Sequence, residues 1–412
     1  MNHVEIVAIG NEILKGSINN TNATEICQAL FMAGFRVARQ TVLSDDPIEL
    51  KTGLNECLKR SRIVISTGGL GPTCDDITRQ VAAELFDSGF HLDESLLQSL
   101  QRRYQNNPVS LENQSTVPNK AVLLANHLGT APGLVFNTSE STLILLPGVP
   151  REMRAMLHDQ VIPYLRHNYS SSKYLMRSLN LFNISETSVD PYLREILNDY
   201  PYLDIGIYPS HGTIKVQITA DSTSNKDAEL HLEKAFKRLI EVFGANRFEA
   251  LSGKLEEAVH DLFLNQNWTL SVAESCTGGG ISARLTKLAG ASKYFLGGIV
   301  CYSNALKHAL LDVSEMHLST YGAVSKEVVL SMVEGVLKKT QSEFGLAISG
   351  IAGPDGGSPD KPVGTVWIAV AKRGMDPIVW NLRAHGNRDM IIERSINGAL
   401  AGLLQYSTTL EK

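Results

Sequence analysis

The chain has 412 residues, of which 43% are hydrophobic and 20% charged, and its formal net charge at pH 7 is −5. This length exceeds one ordinary hydrophobic core and predicts two or three domains, and the composition excludes a disordered or fibrous chain. The acidic balance provides no overall positive field, so we expect neither nucleic acid nor a membrane surface as a partner.

The chain also lacks the sequence signals of secretion and metal cages. No apolar run approaches the roughly 20 residues that cross a bilayer, and the N-terminus lacks a basic region followed by an apolar signal core. The cysteines are odd in number, scattered and without a C-x-x-C pair, which predicts a reducing, cytoplasmic location without structural disulfides or a zinc cage. They are Cys27, Cys57, Cys74, Cys276 and Cys301.

Residues 1–168 form the first predicted domain, in which short β-rich runs alternate with helical patterns. "HVEIVAIG", "RIVISTGG" and "STLILLPG" indicate strands, and "TNATEICQALFMAGF" and "DPIELKTGLNECLKRS" indicate helices. This alternation predicts a parallel sheet with helices on both faces. Ligands of such sheets bind at the carboxyl ends of the strands, where "GNEILKG", "LSDD" and "GGLGPTCDD" fall.

The glycine loop of this domain suggests phosphate and metal. Gly68, Gly69 and Gly71 follow a buried strand and allow backbone amides to approach a pyrophosphate at the start of the next helix. The paired Asp75 and Asp76 disfavour an anion unless a cation lies between, which suggests Mg²⁺ or Mn²⁺. The alternative is that one aspartate caps the following helix, and we expect one of them to do so.

The sequence pattern changes over residues 169–248 and predicts a small α+β unit. "SKYLMRSLNLFN", "LDIGIYPS" and "TIKVQITADS" indicate antiparallel strands, and "AELHLEKAFKRLIEVFG" indicates a helix that ends at Gly244. Residues 249–412 then predict a second α/β domain. Its strands include "WTLSV", "FLGGIVCYS" and "FGLAIS", followed by a hairpin and the closing helix "RDMIIERSINGALAGLLQYS".

The stretch "VAESCTGGG" lies between a strand and a helix. Ser275 is either the N-cap of that helix or a nucleophile, although the stretch is not the G-x-S-x-G elbow. In "CYSNALKHALL", Asn304 as N-cap would place Lys307 in the first turn, where the helix macrodipole and burial lower the pKa of an amine. A neutral amine beside a serine activates it, whereas the alternative is a solvated surface lysine. Tyr302 could share this hydrogen bond and relay the proton.

Two further observations concern the same domain. Cys276 is a rival nucleophile, but we prefer a small buried residue facing the core. The loop "SGIAGPDGGSPDKPVG" is either a flexible connector or a nest of backbone N–H groups for an oxyanion or phosphate. Ser349 and Arg388 could converge on its mouth. The glycines that we expect to contact substrate are Gly278, Gly279, Gly350 and Gly353.

"AESCTGG", "YSN" with a following lysine, "ISGIAGPDGG" and "KPVGTVW" together resemble the C-terminal domain of the CinA family. The resemblance covers roughly the last 160 residues and implies hydrolysis of nicotinamide mononucleotide to nicotinate mononucleotide and ammonia, without a cofactor. It implies Ser275 as nucleophile, Lys307 as general base and Tyr302 as its neighbour. Ser349 and Arg388 are implied as further active-site groups.

"GGLGP", the following "DDIT" and "LGTAPG…LPGVPREM" resemble the molybdopterin-binding fold of MogA and MoeA, and more specifically the N-terminal CinA domain. Leu70 departs from the "GGTG" of the pterin proteins, which counts against pterin binding. The resemblance implies an ADP-ribose pyrophosphatase that depends on Mg²⁺, Mn²⁺ or Co²⁺. Its implied essential residues are Asp76 and Asp45, with Glu12 and Asn22 as further candidates, and the metal ligands suggested are Asp75, Asp76 and Glu12.

The middle unit resembles the KH-like insert of the same family. No GXXG loop occurs between residues 170 and 248, so we expect a spacer or dimerisation element, and a homodimer. The predicted function is therefore a bifunctional enzyme of pyridine-nucleotide salvage that acts on small nucleotides. The alternatives are a non-catalytic scaffold associated with competence or DNA damage, and a pterin-binding protein.

Overall fold

The computed structural model describes residues 3–73, 75–104, 108–250 and 252–410, so Cys74 lies outside the described residues. The chain divides into two compact units, Met1–Tyr174 with Asp221–Asn225 and Leu175–Ala220 with Lys226–Lys412. No helix of the described ranges is both long and apolar enough to span a membrane. The predicted mixed α/β class is confirmed in both units.

The first unit contains a six-stranded sheet in the order β2-β1-β3-β8-β7-β6, beside a two-stranded β4-β5 ribbon. Its strands are β1 Val4–Ile9, β2 Val37–Leu43, β3 Ile63–Thr67, β4 Phe90–Leu92, β5 Thr116–Pro118, β6 Val122–Leu124, β7 Gly133–Asn137 and β8 Thr142–Leu146. Its helices are α1 Asn11–Leu14, α2 Thr21–Met32, α3 Pro47–Arg60, α4 Thr78–Leu85, α5 Glu94–Arg103, α6 Pro108–Ser115, α7 Pro150–Met156, a π-helical turn Leu157–Val161 and α8 Ile162–Asn168.

Strands β1, β2, β3 and β8 are parallel, as the alternation of strands and helices predicts. Strand β1 is buried along its whole length, because helices cover both faces of the sheet. Val4 and Ile6 pack with α2, whereas Val7 and Ile9 pack with α3. The edge differs from the predicted all-parallel sheet, since β7 and β8 are joined by a short turn and pair antiparallel.

The second unit begins with a four-stranded sheet in the order β10-β11-β9-β12, covered by two helices. These elements are β9 Tyr174–Phe182, α9 Glu186–Asp199, β10 Asp204–Ser210, β11 Thr213–Asp221, α10 Ala228–Phe243, a 3₁₀ turn Gly244–Asn246 and β12 Arg247–Phe248. They have their own apolar core. Phe182 and Phe248, however, belong to the core of the following α/β region, so the two parts pack together.

The remaining residues form a five-stranded sheet in the order β14-β13-β15-β16-β17. Its strands are β13 Leu270–Glu274, β14 Phe295–Val300, β15 Phe344–Gly350, β16 Thr365–Lys372 and β17 Ile378–Arg383. The helices are α11 Leu255–Gln266, α12 Gly280–Thr286, α13 Asn304–Leu311, α14 Glu315–Tyr321, α15 Lys326–Thr340 and α16 Arg388–Thr409, with a 3₁₀ turn Ala291–Lys293. Strands β13, β14 and β15 are parallel, so their carboxyl ends meet at one edge.

Candidate active sites

The turn between β13 and α12 is organised by a buried carboxylate. Glu274 ends the strand and is fully buried, and its two oxygens accept hydrogen bonds from the first residues after the nucleophile candidate Ser275. The donors are Thr277 Oγ1 at 2.6 Å, the backbone N–H groups of Gly279 at 3.2 Å, Ile281 at 3.1 Å and Ser282 at 2.9 Å, and Ser282 Oγ at 2.7 Å. Glu274 thereby satisfies the N-terminal donors of α12 and offsets its dipole.

This arrangement changes the predicted role of the two turn glycines. Gly278 and Gly279 adopt left-handed φ values of 60° and 98°, which side-chain-bearing residues rarely adopt. The Gly279 N–H already donates to Glu274, so it is not free to bind the substrate that we expected this glycine to contact. The sequence reasoning missed Glu274, although an acidic residue just before a helix start is a capping signal.

Ser275 and Lys307 are brought together at the carboxyl end of β13. The Ser275 N–H donates to the Ile348 carbonyl at 3.1 Å, which fixes the serine against β15. Lys307 Nζ lies 2.9 Å from Ser275 Oγ. The serine is 7% exposed and the lysine 1% exposed, so neither is a solvated surface residue.

Helix α13 delivers the lysine from a position slightly different from the predicted one. Ser303, not Asn304, is the N-cap, because the Ser303 hydroxyl accepts the Leu306 N–H at 3.2 Å. Lys307 is therefore the fourth helical residue, and its side chain extends back toward the N-terminal end of α13. Burial lowers the pKa of Lys307 below its ordinary value of 10.5.

The contacts of Lys307 Nζ suit a neutral amine. The amine nitrogen donates to the carbonyls of Cys301 at 2.9 Å and Tyr302 at 3.2 Å. A neutral amine has two N–H donors and one lone pair. With both donors on the two carbonyls, its lone pair is available to the Ser275 hydroxyl. No ion pair to Lys307 occurs in the described part of the chain.

Tyr302 and Arg388 meet beside this pair, but not as a proton relay. The Tyr302 phenol oxygen accepts from Arg388 at 3.2 Å, and the second terminal nitrogen of Arg388 donates to the Gly353 carbonyl at 2.7 Å. Tyr302 contacts Lys307 only through its backbone carbonyl in the described structure. The predicted sharing of a hydrogen bond by the phenol is therefore wrong, because that oxygen faces Arg388. Arg388 joins the glycine loop to the end of β14.

Ser349, Gly350 and Cys276 support the site from within. The Ser349 hydroxyl donates to the Ala323 carbonyl at 2.8 Å and is almost fully buried, so it holds the neighbouring backbone. A Cβ at Gly350 would lie 2.7 Å from Val366 Cγ2 and 3.1 Å from Cys276 Sγ, so a side chain there would crowd both residues. Burial raises the pKa of Cys276 to about 12, which disfavours the thiolate that a cysteine nucleophile needs.

The predicted residues of the first unit line a single cavity of about 460 Å³. It opens where β1, β3 and β8 end, the position expected for ligands of parallel sheets. Five carboxylates and no lysine, arginine or histidine occur among the described residues that line it. The predicted residues in the lining are Glu12, Asn22, Asp45, Gly68, Gly69, Gly71, Asp75 and Asp76.

Within the glycine loop, Asp76 folds back instead of capping α4. The Asp76 carboxylate accepts the Thr73 N–H at 2.9 Å and also contacts the Thr73 hydroxyl. Helix α4 begins after Ile77 without a side-chain cap, so the expectation that an aspartate caps it is wrong. A Cβ at Gly71 would lie 2.5 Å from an Asp76 oxygen, so the glycine permits this turn.

The predicted three-carboxylate metal site is not assembled. No group of three or more His, Cys, Asp or Glu side chains that could hold a metal ion occurs within the described ranges. Asp45 instead accepts the Asn11 N–H at 3.1 Å. The lining fits an ion that takes one or two carboxylates and completes its shell with water and substrate phosphate, as Mg²⁺ commonly does.

Asn22 has a structural role in the same cavity wall. Its amide nitrogen donates to Thr67 Oγ1 at 2.9 Å and to the Gly148 carbonyl at 2.8 Å. Thr67 in turn donates to the Pro147 carbonyl at 2.9 Å. Asn22 therefore ties the N-terminal end of α2 to the ends of β3 and β8, which shapes the floor of the cavity.

These features define a two-part α/β protein, with a buried serine–lysine pair in one unit and a glycine-loop cavity in the other. Residues 252–407 match the family described as "CinA C-terminal domain", and residues 5–167 match "Probable molybdopterin binding domain". A CinA-like protein of Kosmotoga olearia is 36% identical over 96% of this chain and 97% of its own length. A putative competence-damage inducible protein of Symbiobacterium thermophilum is 37% identical over 98% of both chains. The chain belongs to the CinA family.

Two solved structures are also similar over part of the chain. The competence/damage inducible protein CihA of Agrobacterium tumefaciens is 36% identical, with 38% of this chain and 94% of that chain covered and a TM-score of 0.36. The protein CinA of Thermoplasma acidophilum is 32% identical, with 40% of this chain and 97% of that chain covered and a TM-score of 0.37.

Proposed function

We propose that the second unit hydrolyses the carboxamide of nicotinamide mononucleotide to nicotinate mononucleotide and ammonia. The observation that carries this proposal is the 2.9 Å contact between Lys307 Nζ and Ser275 Oγ in a buried setting where the other partners of the amine are backbone carbonyls. Membership in the CinA family supports the same reaction.

In the proposed mechanism, Ser275 Oγ attacks the amide carbon and its proton passes to Lys307 Nζ. When the C–N bond breaks, the lysine ammonium gives that proton to the departing nitrogen, which leaves as ammonia. Water then attacks the acyl-serine ester and gives a proton to Lys307, which returns it to Ser275 Oγ as the C–O bond breaks. The carbonyls of Cys301 and Tyr302 hold the amine in place through both proton transfers.

The direct test measures ammonia and nicotinate mononucleotide released from nicotinamide mononucleotide by the full chain. We expect stoichiometric release of both products, in the presence and absence of EDTA. Absence of turnover by folded protein would contradict the deamidase proposal. It would favour a non-catalytic scaffold, in line with the competence-damage name of one relative.

For the first unit, we propose a metal-dependent ADP-ribose pyrophosphatase. The favouring observation is the cavity of about 460 Å³ at the strand ends, with a glycine loop beside Asp76 and with Asp45 on its wall. These two carboxylates are the candidates to hold a divalent cation, which when bound polarises a phosphoryl oxygen and activates water. The Thr73 N–H donates to the Asp76 carboxylate at 2.9 Å, which holds this side chain beside the glycine loop.

The test of this second activity is formation of AMP and ribose 5-phosphate from ADP-ribose with Mg²⁺, Mn²⁺ or Co²⁺. No hydrolysis with any of the three ions, together with tight binding of a pterin, would replace the proposal by the pterin-binding alternative. We also propose that the chain forms a homodimer, which light scattering on the full chain would test.

A further inference from the structure

Tyr302 presents an aromatic surface close to the proposed nucleophile. Its backbone carbonyl accepts from Lys307 Nζ, which in turn contacts Ser275 Oγ, so two hydrogen bonds connect Tyr302 to the serine. Its side chain is nevertheless 60% exposed. An exposed tyrosine whose backbone forms part of a buried catalytic arrangement is available to a bound molecule.

Two exposed apolar residues lie close to Tyr302 in the chain. Val300 is the last residue of β14 and Leu306 lies in the first turn of α13, and both side chains are about 42% exposed. A Cβ at Gly279 would lie 3.5 Å from Val300, so this apolar surface reaches the turn that carries Ser275. A flat, partly apolar ring of a substrate suits such a surface better than a charged phosphate does.

Arg388 fixes the orientation of the tyrosine. Its guanidinium donates to the phenol oxygen at 3.2 Å and to the Gly353 carbonyl at 2.7 Å, so it binds the outer edge of the ring. The contact with Arg388 is at the edge, which leaves ring surface exposed. Because the phenol oxygen is engaged at that edge, the free chemistry of this side chain is its π surface.

Resting on the proposed deamidase function, we propose that the Tyr302 ring stacks against the pyridinium ring of the substrate and selects its positive charge. The nicotinamide ring of the oxidised mononucleotide is a quaternary cation, and cations of this kind bind favourably over an aromatic face. The reduced mononucleotide has the same amide, ribose and phosphate but a neutral ring. Tyr302 is therefore a specificity-determining residue that distinguishes the two redox forms.

The experiment measures dissociation constants by calorimetry in a Ser275→Ala background, so that neither ligand is consumed. The ligands are oxidised and reduced nicotinamide mononucleotide. The variants add Tyr302→Phe, Tyr302→Leu or, as a matched control, Tyr208→Leu, which replaces a 54% exposed tyrosine of β10. Ammonia release by the wild-type chain is measured in parallel, and thermal unfolding checks that each variant is folded.

We expect the parent to bind the oxidised ligand at least about fivefold more tightly than the reduced one, from the strength of a partly desolvated cation–π contact. Tyr302→Phe should retain most of this ratio, and Tyr302→Leu should bring it close to one, while Tyr208→Leu leaves it unchanged. An unchanged ratio in Tyr302→Leu overturns the inference and leaves the deamidase proposal intact. A wild-type chain that releases no ammonia overturns the deamidase proposal itself.

Discussion

The two candidate sites differ in how far the chain completes them by itself. In the second unit, Ser275 and Lys307 satisfy each other in a buried setting, and the backbone supplies the remaining partners of the amine. In the first unit, the carboxylates line an open cavity and several are held separately by local donors. A buried pair needs only its substrate, whereas scattered carboxylates need a partner that offsets their charge.

The two sites also differ in their charge. Five lining carboxylates repel the pyrophosphate of the proposed substrate, and the described lining has no basic side chain to counter them. The site in the second unit faces a smaller cost, because the Glu274 carboxylate accepts five hydrogen bonds and the Arg388 guanidinium lies beside Tyr302. The activity proposed for the first unit should therefore depend on a divalent metal, and the activity proposed for the second unit should depend on the Lys307 amine instead.

The largest expected effect comes from the serine–lysine pair. Ser275→Ala and Lys307→Met should each lower kcat/KM for ammonia release by about a thousandfold or more, because the nucleophile and its base act as a unit. Cys276→Ala is the matched control and should retain activity within a few-fold, since its buried thiol has a pKa of about 12. Full activity in Ser275→Ala with loss in Cys276→Ala would reverse the assignment.

Removal of divalent metal should separate the two units. EDTA should lower AMP formation from ADP-ribose by about a hundredfold or more. Without the divalent cation, the carboxylates of the cavity repel the substrate pyrophosphate. Ammonia release in the same sample should change by less than about twofold. Equal sensitivity of both reactions to EDTA contradicts the comparison.

A substitution complements the chelation experiment. Asp76→Asn should also depress AMP formation, whereas Asp87→Asn, at an exposed site of the same unit, should not. Added Mg²⁺ should not rescue Asp76→Asn at ordinary concentrations, because the substitution removes a ligand charge. An unchanged Mg²⁺ concentration for half-maximal AMP formation in Asp76→Asn would mean that Asp76 has no part in holding the ion.

The sequence predicts the architecture better than the details of the sites. Hydrophobic periodicity and composition are local properties, so the sequence alone predicts the buried strand β1 and the closing helix α16. The antiparallel β7–β8 edge was missed because it depends on a four-residue turn within a segment of weak pattern. Likewise, the cap of α13 moved by one residue, from Asn304 to Ser303, since both are good capping residues.

The proximity of Ser275 and Lys307 follows from tertiary structure, because their residues lie 32 positions apart. Motif resemblance selected both, but no periodicity predicts that β13 and α13 bring them to one edge. The engagement of Tyr302 by Arg388, 86 positions away, was likewise invisible to local reasoning. The expected aspartate cap of α4 is wrong for a related reason: "DD" in the sequence does not reveal that Asp76 turns back to Thr73.

The pH dependence should also differ between the units. Lys307 acts as a base only when neutral, and burial lowers its pKa below 10.5. The deamidase kcat/KM should therefore fall by up to tenfold per pH unit as the pH drops below that lowered pKa, and level off above it. The measurement is a pH–rate profile for both reactions in the same buffers. An apparent pKa of 10.5 or above in the deamidase profile would contradict a desolvated base.

The same lysine makes a linked prediction for stability. The folded state binds its proton more weakly than the unfolded chain does, so the free energy of unfolding rises with pH between the folded-state pKa and about 10.5. Lys307→Met should remove this part of the pH dependence, as measured by urea unfolding at several pH values. Identical slopes in the two proteins would show that the lysine is not desolvated in the folded state.

The smallest effect in our comparison concerns the two acidic residues that close the glycine turns. Glu274 is fully buried and accepts five hydrogen bonds, whereas Asp76 is partly exposed beside Thr73. Glu274→Gln places an N–H₂ group against N–H and O–H donors, which leaves buried donors unpaired and costs about 2–4 kcal/mol. The unfolding temperature of the second unit should therefore fall by several degrees in Glu274→Gln. Asp76→Asn should lower the unfolding temperature of the first unit by much less.

A Glu274→Asp variant distinguishes charge from reach. It restores the negative charge but shortens the side chain by one methylene, so it should recover part of the lost stability and leave kcat low because the Ser275 turn shifts. If Glu274→Gln unfolds at the wild-type temperature, the carboxylate adds no stability beyond what an amide at this position supplies. The second site would then owe its assembly to Ser275 and Lys307 alone, and the contrast with the first unit would rest only on burial.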